Sequence, residues 1–201
     1  ATYATIAARR MGMHEDQVDS IRLMALMHDV GKITTPEYVV DKATKLETIH
    51  DRVELVQARW EILKSDLVIE ALKQQQPGEE IDALMGSLEG EFEKLDAELD
   101  FVQESNRGGE FMADEQVARL AALADRVVEI GGESQHVISK DELYNLSIRK
   151  GTLTDEERAV IQNHAAISIK ILSQLPFSKT LKGVPDYAGG HHEMLNGAGY
   201  P

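Results

Sequence analysis

Apolar side chains recur along most of this chain at steps of three and four, the spacing of one face of an α-helix, and no Val/Ile-rich alternating stretch stands out. Residues 1 to about 48 predict a helix, a turn and a second helix. In the second helix Val18, Ile21, Met24, Ala25 and the pair Met27/His28 share a face. Asp16 stands where a cap belongs, and Gly31 where a left-handed residue would end the helix. From about 49 to 137 the pattern lengthens. Ile49, Val53, Val56, Trp60, Leu63 and Leu67 form one stripe and Pro77-Gly78 breaks it. Leu84, Leu88, Phe92, Leu95, Leu99 and Val102 form another, with Glu, Asp, Lys and Gln between. Two such stripes predict long amphipathic helices packed as a coiled-coil hairpin.

After a loop at Asn106-Arg107-Gly108-Gly109, a third helix is expected to carry Val117, Leu120, Ala121, Ala124, Val127 and Val128 on one face and to end near Gly131-Gly132. The last stretch, about 138 to 201, reads as a small helical unit. Thr154 is its N-cap with Glu157 reaching back, and the helix is expected to run to about Leu175. A loop with Gly183 and Pro185 then leads to a short helix carrying His191-His192. The expected fold class is all-α: a core built from residues 1–48 and 138–201, with 49–137 inserted as a helical hairpin. Lys42-Ala-Thr-Lys-Leu46 echoes Arg149-Lys-Gly-Thr-Leu153, in keeping with a hairpin that interrupts a once-continuous segment.

Charge narrows the choice of partner. Lys and Arg number 21 against 35 Asp and Glu, a formal net charge of −14. Such a surface argues against a nucleic-acid polymer, whose phosphates attract Lys/Arg-rich faces. A small phosphorylated ligand is still accommodated if bound cations supply the local positive charge. With no cysteine, thiolate metal sites, disulfides and cysteine nucleophiles are all excluded. No apolar run reaches the length of a membrane span and no signal peptide opens the chain. Residue 1 falls inside a helical pattern, so the chain reads as a fragment of a longer, cytoplasmic protein.

Of the seven histidines, four are candidates for the chemistry. His28-Asp29 pairs an imidazole with a carboxylate whose two oxygens can bridge two cations, and Lys32 offers a cation to a substrate phosphate. Helix neighbours point about 100° apart at roughly 3.6 residues per turn, so one ion does not readily take both. His191-His192 offers two imidazoles, the commonest nitrogen ligands for transition metals. His164 lies in the stripe Val160, Ile161, His164, Ile167, Ser168, Ile171, Leu172, Leu175 and faces the core. Each has a bland reading: a chance dipeptide, a polar helix end, a satisfied core histidine. Together they put imidazoles from three helices into one interior, and burying them without a partner is costly. That points to a His/Asp metal cluster. His14, His50 and His136 border helices and are read as structural, and Glu193 as a group that fixes its loop.

The order of these motifs goes further. His28-Asp-Val-Gly-Lys32, then Lys150-Gly-Thr-Leu-Thr154 ahead of a helix with His164, then His191-His-Glu-Met-Leu-Asn-Gly-Ala-Gly-Tyr-Pro201 resembles the HD-GYP family, an HD-superfamily helical bundle. Asn196 stands where the family often has Asp. The resemblance covers roughly residues 1–48 and 138–201. It implies a phosphodiesterase that hydrolyses cyclic di-GMP by a metal-activated hydroxide. It also implies two or three divalent ions, Fe or Mn, held by His28, Asp29 (bridging), His164, His191 and His192. Asp29 and Lys32 would serve catalysis, and Lys32, Gly197, Gly199, Tyr200 and Pro201 would line the substrate. Further family ligands are expected before residue 1 and beyond residue 201, so this stretch alone is expected to bind metal weakly and turn over little. The alternative is a catalytically silent HD-GYP module serving regulation or protein interaction. The apolar stripes of the insertion fit a homodimer or a sensor-domain contact.

Overall fold

The computed structural model describes residues 1–75 and 80–200, and within them helices dominate. Along the chain they are α1 (Thr2–Arg10), α2 (Glu15–Met27), α3 (Glu37–Val40), α4 (Val53–Gln74), α5 (Ile81–Arg107) and α6 (Asp114–Ala124). A hairpin of β1 (Val127–Ile130) and β2 (Glu133–His136) follows, then α7 (Lys140–Leu146), α8 (Asp155–Gln162), α9 (His164–Leu172) and α10 (Val184–Gly189). The chain divides into two units, Ala1–Val40 with Asp155–Pro201, and Asp41–Thr154. The second is wider than the 49–137 span read from the sequence.

In the first unit α2 packs on α1 and α10, and α9 packs on α10 and on a 3₁₀ turn at Val30–Thr34. Three expectations change here. The helix containing Val18 starts after His14, not at Asp16, because the Gln17 side chain accepts from the His14 N–H (3.1 Å) and Glu15 and Asp16 favour the positive end of the helix dipole. It ends at Met27, and Gly31 does not take a positive φ. Glycine is needed there for space: a Cβ on Gly31 would lie 2.0 Å from the His164 carbonyl oxygen. Finally, the helix that begins at Asp155 does not run unbroken to Leu175. It is interrupted at Asn163 and stops at Leu172, ahead of Pro176, whose ring disfavours helical backbone just before it.

In the second unit α4 and α5 run antiparallel, with the Trp60 indole N–H donating to the Leu95 carbonyl (3.0 Å) and Lys64 paired with Asp96. Val56, Trp60, Leu95, Leu99 and Val102 are buried along the two stripes, while Ile49 is exposed in the turn before α4. Pro77-Gly78 lies outside the described residues. The third helix of this segment stops at Ala124, and Val127-Val128 enter a strand instead. Two β-branched valines and Ile130 favour extended backbone, and Gly131-Gly132 supply the two positive φ values (63° and 85°) that a tight hairpin turn demands.

Ser139 caps α7 reciprocally with Glu142, whose carboxylate also takes the Arg59 guanidinium at 2.6 and 2.7 Å. Leu46, Met112, Leu120, Val137, Ile138 and Leu146 complete a core that this unit builds from its own residues. The ends of the unit meet, the Thr152 hydroxyl donating to the Lys42 carbonyl (3.1 Å).

Lys45 is 1% exposed in this unit, its ammonium donating to the Leu146 carbonyl (2.9 Å) and facing the Met112 sulfur. Burial lowers its pKa from 10.5 to about 8. Between those values the unfolded chain binds more protons than the folded one, so stability rises with pH across that window and is flat below it. The urea midpoint of the native chain should therefore climb relative to Lys45→Met from pH 8 to pH 10.5. A difference that stays constant over that range refutes the assignment.

Candidate metal centre

The end of α2, the start of α9 and the 3₁₀ turn after α10 bring four imidazoles and one carboxylate together in the first unit. His28 is the C-cap that follows Met27, the last residue of α2. Asp29 has already left the helix, with φ −99° and ψ 11°, so the two side chains are freed from the 100° divergence of helical neighbours. His164 opens α9 and is buried. Pro185 sets the first turn of α10, which hands over to the Gly190–His192 turn. Gly189 allows the close approach there, since a Cβ would lie 2.0 Å from the Ile169 side chain.

The two oxygens of Asp29 face different neighbours. Oδ1 lies 3.3 Å from His164 Nε2 and 3.5 Å from His191 Nε2. Oδ2 lies 3.3 Å from His28 Nε2 and accepts from the Lys32 ammonium at 2.8 Å. Burial pushes the Asp29 carboxyl up, but the Lys32 hydrogen bond and the His28, Lys32 and His164 charges outweigh it, and its pKa falls below the usual value. Burial lowers the pKa of His191, opposed by the Ala188 carbonyl and Asp29, and burial with the neighbouring His191 and His164 lowers that of His192.

Proton positions follow from the carbonyls. His164 Nδ1 faces the Ile161 carbonyl, and His191 Nδ1 faces the Ala188 carbonyl at 2.6 Å. A carbonyl only accepts, so each Nδ1 carries the proton and in the neutral ring each Nε2 presents a lone pair. Those two Nε2 atoms are 3.3 Å apart. Asp29 Oδ1, at the third corner of a triangle with them, is buried without a hydrogen-bond partner. Three electron-rich atoms thus converge, an arrangement that repels itself until a cation enters. Donors about 2.0–2.2 Å from a shared ion lie roughly 3–3.5 Å apart, which these spacings match. Asp29, His164, His191 and His192 together offer ligand atoms within 4.8 Å of one another, a group able to hold a divalent metal ion. The residues present fit the metal.

The loop after His192 folds back over these rings. The Glu193 carboxylate accepts from the Met194 N–H, and the Asn196 side chain accepts from the Ala198 N–H, both at 3.0 Å. Gly197 takes a φ of 71°, and a Cβ on Gly199 would sit 2.3 Å from the His192 carbonyl oxygen. Tyr200 stacks on the His192 ring, centroids 4.6 Å apart and planes 20° from parallel, and burial raises its pKa. Pro201 lies outside the described residues. His14, His50 and His136 are not members of this cluster, and His136 Nδ1 is satisfied by the Ala124 carbonyl (2.9 Å).

Sequence reasoning passed over the carbonyls that set the tautomers, and over Ser168. The latter left a signal: a polar residue one turn after His164 within an apolar stripe. The tautomers are testable by ¹⁵N NMR of the metal-free chain above pH 7. His164 and His191 should both appear as Nδ1–H forms, and an Nε2–H signal for either would refute the converging lone pairs.

Two family models match the chain, one for the HD domain over residues 1–129 and a second HD domain model over residues 136–201. Among curated proteins, the 3′3′-cGAMP-specific phosphodiesterase 3 of Vibrio cholerae serotype O1 is 39% identical over 88 residues, 42% of this chain and 18% of that protein. The chain thus spans less than a fifth of the length of the curated relative it matches. No solved structure matches it.

Proposed function

Because the chain belongs to the HD domain family, we propose that it forms the metal-binding core of a phosphodiesterase that hydrolyses a cyclic dinucleotide. One observation supports this above the others: the unpartnered Asp29 Oδ1 faces the lone pairs of both His164 and His191. In this reading His164, His191, His192 and Asp29 Oδ1 would hold one ion. His28 and Asp29 Oδ2 would hold a second, with Asp29 shared between the two. Iron or manganese suits this nitrogen and oxygen donor set.

Bound ions supply Lewis acidity and a lowered pKa for water at the site. The chain's own groups do the rest. Lys32, already 2.8 Å from Asp29 Oδ2, keeps that carboxylate ionised and turns its remaining N–H groups to a phosphate oxygen, offsetting charge that gathers there during attack. Water adds to phosphorus as the bond to the 3′-oxygen breaks, and that oxygen leaves with a proton. The Nδ1 hydrogen bonds to Ile161 and Ala188 keep the His164 and His191 rings from turning. Gly197 and Gly199 let the loop lie close to the centre, where Tyr200 braces His192, and these three line the substrate.

The HD-GYP resemblance favours cyclic di-GMP, and the Vibrio cholerae relative's name adds 3′3′-cGAMP as a second candidate. The segment at 49–137 is an insertion with a separate packing or signal-relay role, and the self-contained core of Asp41–Thr154 supports this.

Incubation with Mn²⁺ or Fe²⁺ and each cyclic dinucleotide, followed by chromatography, tests the reading. Slow hydrolysis is expected that EDTA abolishes and Asp29→Ala cuts by about a hundredfold or more, beyond the 10–100-fold typical of losing a partner that merely orients a ligand. No hydrolysis, or hydrolysis indifferent to EDTA and to Asp29→Ala, overturns it.

A further inference from the structure

Ser168 is fully buried, and its hydroxyl makes two hydrogen bonds across the gap between α9 and the α2 terminus. It accepts from the Gly31 N–H at 2.9 Å and donates to the His28 carbonyl at 3.0 Å. Both bonded groups come from the stretch that brackets Asp29. The His28 carbonyl lies among those at a helix C-terminus that lack the usual partner four residues on. Four residues separate His164 from Ser168, one helical turn, so the two side chains leave the same face of α9. One turn of α9 therefore offers an imidazole to the centre from its top. From its base it offers a hydroxyl that grips the chain on both sides of the carboxylate.

Gly31 shows how tightly this is drawn, since a Cβ there would fall 2.0 Å from the His164 carbonyl oxygen and 2.8 Å from Ser168 N and Oγ. With backbone against backbone, the distance from Asp29 Oδ1 to His164 Nε2 depends on how the 28–31 stretch registers on α9. The hydroxyl is the polar group that defines that register. It does no chemistry at the centre, where neither of its hydrogen bonds reaches a ligand atom.

We propose that Ser168 is a positioning residue that sets the Asp29–His164 ligand spacing, and with it the affinity and coordination geometry of the metal centre. This rests on the reading that Asp29 and His164 hold a divalent ion. The test uses Co²⁺, whose visible d–d absorption reports coordination geometry, titrated into the full chain and into Ser168→Ala, Ser168→Thr and Asp29→Ala. Thermal unfolding in EDTA is measured alongside, so that binding is compared only where each metal-free variant is folded.

Ser168→Ala should bind Co²⁺ at least tenfold more weakly than the native chain, with a shifted d–d band. Ser168→Thr, which keeps the hydroxyl, should restore the native band. A purely structural serine would lower the unfolding midpoint of the metal-free protein and leave the affinity and band of the folded variant unchanged. That result overturns the proposal while the metal reading stands. If Ser168→Ala does not fold, Ser168→Cys takes its place, keeping the shape but replacing a strong hydrogen-bonding oxygen with a weak one, under the same criteria. If Asp29→Ala binds Co²⁺ like the native chain, or the native chain binds none, the metal reading falls and the role of Ser168 with it.

Discussion

The first unit depends on one contact, the Gly31 backbone lying directly against the first turn of α9. A side chain of any size at residue 31 would separate the two segments. Their contact carries the Asp29 carboxylate to the His164 ring, and the Ser168 hydroxyl holds it there. The rest of the centre is arranged about that carboxylate. Its two oxygens meet different neighbours, one His164 and His191, the other His28 and Lys32. Backbone carbonyls three residues back from His164 and His191 take the Nδ1 protons and leave the Nε2 lone pairs pointing inward.

The two units treat buried polar groups differently, and the contrast bears on what each does. In the second unit buried charge is satisfied within the protein. Arg59 grips Glu142 through two hydrogen bonds, Asn106 bridges Asp51 and the Leu46 N–H, and Lys45 finds the Leu146 carbonyl. Glu98 leaves one oxygen unpartnered, but its other oxygen takes Arg126. Such a network fixes a unique core. In the first unit the unpartnered Asp29 oxygen faces two lone pairs instead of a donor. An arrangement of that kind is unfavourable in the empty protein and favourable around a cation. Under the proposed function, such a centre would let a chain with a net charge of −14 meet an anionic substrate without a basic surface.

Much of this was legible in the sequence because it rests on periodicity and on motif order. Helical stripes announced α4 and α5, and the burial of Val56, Trp60, Leu95, Leu99 and Val102 follows the predicted faces. Spacing placed His164 on an apolar face, and it is buried. The HD doublet, the paired histidines and the Gly-Tyr loop named the groups that converge. Elements failed where local preference competed with pattern. Val127 and Val128 continued a helical stripe by count, yet their β-branched side chains and the Gly131-Gly132 turn favoured a hairpin.

Sequence alone determined which residue types could serve a metal and that His164 would face inward from a helix, since ligand chemistry and helical period are properties of the chain. Only the tertiary structure decided that α2 ends before Asp29, that Gly31 serves close approach instead of a left-handed cap, and that a serine one turn below His164 ties the two segments. The last two are contacts between residues more than a hundred positions apart, fixed by backbone packing that no local pattern encodes.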